Sequence, residues 1–218
     1  MAMRISRKYT VDDWKALTFK DEAEWGKAVE MFVDRLRTRY LEHIEALLER
    51  PTSGFAVLSL DCVLIETLQQ FHTGARKTPE RKGAQYFSDF LTSGLFGNYF
   101  DKNSAKLFYE TIRCGLLHQS EAEGNSRVKR GNGRPLVAYT DDHKGVIVNV
   151  TSFHELVSNT IDAYTQELRK PRSELRKAFR TKMNFICRVE SKDAEDVNAN
   201  GDTSAQKPEN REVAAESS

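Results

Sequence analysis

The chain reads as an all-α protein, a bundle of amphipathic helices with one small β-hairpin inserted late. Three observations predict it. From Asp21 to Arg50, apolar residues recur at three- and four-residue steps, the period of one helix face. From Phe55 to His72 they cover most of the helical circumference, as expected of a helix at the centre of a bundle. Only Leu136–Tyr139 and Val146–Val150, flanking the turn-forming run Thr-Asp-Asp-His-Lys-Gly, read as paired strands, placing a hairpin at about 136–150.

The first long helix carries Trp25, Val29, Phe32, Leu36, Tyr40, Ile44 and Leu47 on one stripe. Asp21 with Glu24 fits a capping box at its start, and Pro51 with Gly54 ends it. Asp61 and Glu66 interrupt the central helix, and a carboxylate in such a setting needs a partner. A basic connection from Gly74 to Gly83 leads to a short helix with Tyr86, Phe87, Phe90 and Leu91. Ser104 opens the next helix, with Leu107, Phe108, Ile112 and Leu116 on its apolar side. The polar run Gln119 to Arg134 reads as a loop, basic at Arg127, Lys129, Arg130 and Arg134. Ser152 with Glu155 caps a helix bearing Phe153, Leu156, Val157, Ile161, Tyr164 and Leu168, and Pro171 opens a last helix ending near Val189. The resulting division is an N-terminal segment 1–20, a helical domain 21–189 and a tail 190–218. The tail is poor in large apolar residues and is expected to be disordered.

With 218 residues, 39% hydrophobic and 30% charged, the chain has the balance of a helix-rich globular protein. Its net charge of +1 is unevenly spread: the tail carries eight acidic and three basic residues, leaving +6 on residues 1–189. That excess permits an anionic partner without requiring one. Three widely spaced cysteines, Cys62, Cys114 and Cys187, contain no CxxC pair and point to a reducing compartment. No hydrophobic leader is evident, and no apolar run is read as approaching the ~20 residues of a membrane span, so the expectation is cytoplasmic and membrane-free. Walker, dinucleotide and Gly-x-Ser-x-Gly signatures are absent. His43, His72, His118, His143 and His154 lack the paired spacing of zinc or iron ligands, so neither metal nor cofactor is expected. A lone histidine of this kind reads first as a surface or locally hydrogen-bonded side chain.

The chemistry converges on Thr-Ile-Arg113-Cys-Gly-Leu-Leu-His118-Gln. A guanidinium clamps phosphate through several donors, and an imidazole exchanges protons near neutrality. With 18 arginines and five histidines, the spacing also occurs by chance; Arg37-x(5)-His43 is a second match. The segment around Arg113 and His118, following the buried-type helix Leu60-Asp-Cys-Val-Leu-Ile-Glu-Thr-Leu68, resembles the HEPN superfamily over roughly residues 21–170. These are helical bundles with an Arg-x(4–6)-His motif on a late helix. Many are metal-independent endoribonucleases that build one site from two protomers.

The resemblance implies that His118 is general acid or base toward an RNA 2′-hydroxyl or leaving oxygen. It implies that Arg113 stabilises charge on the phosphoryl oxygens. It further implies a homodimer, an RNA partner, a toxin or antiviral defence setting and a protein partner from such a system. Cys114 stands where active members usually carry a polar residue, and Ser120 where one toxin branch carries tyrosine.

The alternative is a non-catalytic HEPN-like dimerisation or docking protein, with Arg113 neutralising Asp61 or Glu66 and His118 capping a helix. On a straight helix Arg113 and His118 diverge by about 140°. They converge only if the helix loosens near Gly115, ends before His118, or is completed by a two-fold partner. Arg127, Lys129, Arg130 and Arg134 are the best placed residues to grip an RNA backbone, ahead of the basic stretches Arg76–Lys82 and Arg169–Lys182.

Overall fold

A computed structural model describes residues 3–131 and 133–189; the expected disorder of the acidic tail lies outside these residues. The described chain is mostly helical with one small sheet.

The N-terminal segment packs onto the bundle. Thr10 and Asp13 form a reciprocal capping box on α1 (Val11–Lys15), and Trp14 and Ile5 are fully buried. The Trp14 indole donates to Asn184 Oδ1 at 2.9 Å, tying the first helix to the last. The long first helix consists of α2 (Glu22–Leu36), a π-type turn over Arg37–Leu41 and α3 (Glu42–Leu48). Val29, Phe32, Leu36 and Ile44 of its expected stripe are buried. Asp21 caps α2 by accepting from Glu24 N–H, but the return half of the box is missing. Glu24 instead takes hydrogen bonds from the Thr18 hydroxyl and the Thr18 and Lys20 backbone, which pull its pKa down to about 2.

Helix α4 (Gly54–Thr73) is the hub, packed against α3, α5 (Gly83–Leu91), α8 (Val150–Arg169) and α9 (Leu175–Ile186). Its length and composition reach those of a membrane span, which corrects the reading that no apolar run does. The helix nevertheless buries Val57, Leu58, Leu64, Ile65, Leu68 and Phe71 within the protein core. Gly74 ends it in the left-handed region, φ +71°, with Ala178 of α9 so close that a β-carbon would sit 3.1 Å from the Ala178 Cα.

Asp101, not Ser104, caps the next long helix; Ser104 is its reciprocal partner one turn in. That helix runs as α6 (Lys102–Leu107), a π-type turn over Phe108–Arg113 and α7 (Cys114–Gln119). The hairpin is present as β2 (Val137–Tyr139) antiparallel to β3 (Val146–Asn149), with Val137 opposite Val148. The expected basic loop, however, contains a third strand. β1 (Arg127–Lys129) runs parallel to β3, giving a sheet ordered β1-β3-β2. β3 passes directly into α8 at Val150, so Ser152 and Glu155 lie inside the helix instead of capping it. The last helix starts at Leu175, after a turn in which Arg172 adopts φ +61°, not at Pro171.

Candidate functional site

The π-type turn decides where Arg113 points. The amide of Cys114 donates to the Tyr109 carbonyl, five residues back. The extra residue in that turn rotates the remainder of the helix by about 100° relative to an uninterrupted α-helix. The Thr111 carbonyl accepts instead from Glu123 N–H at 2.7 Å, while its hydroxyl meets the Ser126 hydroxyl at 2.6 Å. The segment after α7 thus folds back along the helix. Gly115 permits this: a β-carbon there would clash with the Glu121 carbonyl and lie 3.2 Å from Glu123 N.

Arg113 consequently reaches α4. Its Nη2 donates to Glu66 Oε2 at 3.0 Å, and its guanidinium lies 5.4 Å from the Tyr109 ring centroid and 5.8 Å from that of Phe87. Burial opposes its charge, but the hydrogen bond and field of Glu66 outweigh this and hold Arg113 protonated. The second Glu66 oxygen accepts from the Thr78 hydroxyl at 2.7 Å, and that hydroxyl accepts from Gln70 at 2.9 Å. Gln70 in turn takes a hydrogen bond from Lys182, which also donates to the Arg76 carbonyl. The basic connection after α4 is therefore pinned beside the Arg113 site. Arg113 Nε is buried without a hydrogen-bond partner.

His118 occupies the last turn of α7, exposed beside the exposed Leu117. It makes no hydrogen bond, ion pair or ring contact with the described residues. The loosened turn ends at Arg113, and α7 continues regularly from Cys114 to Gln119. Two of the three ways to bring the pair together are thereby removed within one chain: no loosening at Gly115, and no helix end before His118. Arg113 and His118 remain about 140° apart on their helix. The second motif match is on the surface, with Arg37 paired to Glu45 at 3.5 Å and His43 exposed.

Asp61 has a different partner from the one expected. His154 Nδ1 lies 2.8 Å from Asp61 Oδ1, while Asp61 Oδ2 is buried without a partner. Burial raises the Asp61 carboxyl above its usual range, more than the hydrogen bond and charge of His154 lower it. His154 Nε2 approaches the Ser158 hydroxyl at 3.4 Å, one turn further along α8. Arg113 therefore serves Glu66, and His154, read from sequence as a surface or locally bonded histidine, serves Asp61. The signal was its position on the apolar face of α8, between Phe153 and Leu156.

The four basic candidates separate. Strand alternation leaves Arg127 and Lys129 exposed on either side of half-buried Val128. Arg127 donates to the Ser126 carbonyl at 2.9 Å. Arg130 is structural: its guanidinium caps the end of α3 by donating to the Leu48 and Arg50 carbonyls. Arg134 is exposed, and neither it nor Lys129 makes a side-chain hydrogen bond with the described residues. Lys129 and Arg130 border a cavity of about 330 Å³ with Pro51, Gly54 and Phe55, at the start of α4. Glu66, the partner of Arg113, lies 12 residues beyond Gly54 on that helix, about 18 Å at 1.5 Å per residue. The structure does not gather these two cations and Arg113 into one site.

Among the described residues, no three His, Cys, Asp or Glu side chains cluster as metal ligands, and all three cysteines are free. Compared with protein-family models, curated proteins and solved structures, the chain matches none.

Proposed function

We propose that this chain is a HEPN-type protein that cleaves or binds RNA without a metal, working as a homodimer through Arg113 and His118. The observation that carries the reading is the state of the pair. His118 is exposed and makes no hydrogen bond with the described residues, while Arg113, five residues before it, is held charged and keeps part of its side chain in solvent. In such a site His118 removes the proton from an RNA 2′-hydroxyl, and Arg113 neutralises the phosphoryl oxygens as the cyclic phosphate forms. Transesterification also needs an acid for the leaving oxygen. A two-fold contact presents a second His118 without new sequence, and it answers the divergence of the two side chains within one chain. Arg127, Lys129 and Arg134 remain as exposed phosphate contacts; Arg130 is engaged elsewhere. Service as a toxin or antiviral effector with a protein partner, in the cytoplasm, is part of the proposal and rests on the family resemblance.

The second reading is a non-catalytic docking or dimerisation protein. The Arg113–Glu66 ion pair favours it, since a guanidinium already matched to a carboxylate needs no phosphate.

RNA incubated with the purified chain in EDTA separates the two. The nuclease reading expects fragments ending in 2′,3′-cyclic phosphate from wild type and none from His118→Ala. It also expects a sedimenting mass of about two chains. Absence of cleavage with RNA binding lost on Arg127→Ala and Lys129→Ala would leave RNA binding alone. Absence of both would leave the docking reading.

A further inference from the structure

A second cavity, of about 380 Å³, opens at the other end of α4, where His72, Phe90 and Phe96 face Thr160, Tyr164 and Glu167 of α8. Its size lies within the range of small-molecule pockets, and its walls are mostly apolar and aromatic. The polar side chains that line it are almost all engaged. The Tyr164 hydroxyl donates to the Phe71 carbonyl at 3.2 Å, and the Thr160 hydroxyl to the Leu156 carbonyl at 2.7 Å. The Ser93 hydroxyl donates to the Phe90 carbonyl at 3.2 Å, and Glu167 pairs with Lys170 at 2.6 Å. His72 is the exception. Its ring makes edge contacts with Tyr164, centroids 4.6 Å apart, and with Phe90 at 6.5 Å, but no hydrogen bond to any described residue.

Burial lowers the pKa of His72, so at neutral pH it presents a neutral imidazole with one donor and one acceptor. No lysine or arginine lines the cavity, which sets it against phosphate, nucleotide or carboxylate ligands and apart from any RNA path. Leu95, an exposed large apolar residue, lies among its lining residues and extends the apolar surface outward.

We propose that this cavity is a binding site for an uncharged, largely apolar ring compound carrying one hydroxyl or ring N–H, which hydrogen-bonds to His72. The aromatic walls supply the contact area, and the His72 ring, which makes no hydrogen bond with the described residues, fixes orientation.

The test uses 2-naphthol as probe, with naphthalene and naphthalene-2-sulfonate as controls, followed by calorimetry and by the His72 ring signals in NMR. Saturable binding of about one 2-naphthol per chain is expected, with naphthalene weaker and the sulfonate undetected. Addition of 2-naphthol should shift the His72 ring signals and leave those of His118 unmoved. His72→Leu should weaken 2-naphthol about tenfold, the loss of one hydrogen bond, and leave naphthalene unchanged. Thr160→Trp, which fills the cavity from a partly exposed position, should abolish binding while circular dichroism reports a folded chain. No saturable binding to wild type, equal binding of the sulfonate, or binding that survives Thr160→Trp in a folded chain would overturn the proposal.

Discussion

Helix α4 carries two acid–base pairs five residues apart, and they differ in nearly everything except their chemistry. Asp61 and His154 are sealed, their side chains 0% and 6% exposed, whereas Glu66 and Arg113 keep 26% and 18%. Five residues turn the helix by about 140°, so the first pair faces α8 and the second faces the π-type turn before α7. In the sealed pair one carboxylate oxygen is buried with no partner among the described residues. In the open pair both carboxylate oxygens are satisfied, Arg113 Nε is buried without a partner among the described residues, and both side chains keep part of their surface in solvent. The difference teaches that an acid–base pair in a bundle is a structural fixture when it is closed on all sides. The Arg113–Glu66 pair, only partly closed, keeps one edge in solvent.

The largest effect should come from the sealed side. His154→Ala leaves a buried carboxylate with no partner at either oxygen, which costs about 3–5 kcal/mol. Urea denaturation should show it, and a loss below about 1 kcal/mol, the scale of an exposed pair, would mean that the pair is not closed.

Asp61 adds a pH signature. Because burial raises its carboxyl, the folded state holds that proton more tightly than the unfolded chain does. Its contribution to stability is therefore present below the usual aspartate range and is lost as pH rises through the raised value. Relative to Asp61→Asn, wild type should lose stability across that window. A parallel pair of stability–pH curves would show that Asp61 titrates as it does in the unfolded chain.

The open pair should be less costly to break. Glu66→Ala removes a charge-assisted hydrogen bond at a partly solvated site, a loss of about 1–3 kcal/mol by denaturation. A loss equal to that of His154→Ala would erase the distinction between the pairs. Smallest of all is His118→Ala, which should change stability by no more than about 0.5 kcal/mol, since the side chain is exposed and makes no hydrogen bond or ion pair with the described residues. Any larger change would reveal a structural contact for His118.

The helices were legible wherever periodicity carried them. The stripe from Trp25 to Leu47 and the apolar helix ending at Thr73 follow from spacing alone. The π-type turns were not, because Arg37–Leu41 and Phe108–Arg113 keep ordinary helical residues and differ only in which carbonyl each amide finds. Nor was β1, whose three residues Arg-Val-Lys hold one apolar side chain and pair with a strand some twenty residues later. The motif residues were visible as residue types, but their relations were not. Nothing local says that Asp61 binds His154, 93 residues away, or that Arg130 reaches back to the end of α3.

The proposed sharing of one site by two chains through His118 is tested most directly by mixing. Wild-type and His118→Ala chains are unfolded and refolded together in equal amounts, and RNA cleavage is compared with the same total of wild type. If both histidines are needed, only dimers of two wild-type chains act, and the rate falls to about one quarter. A rate of about one half would show that a single His118 suffices per site and would contradict a site that needs both histidines.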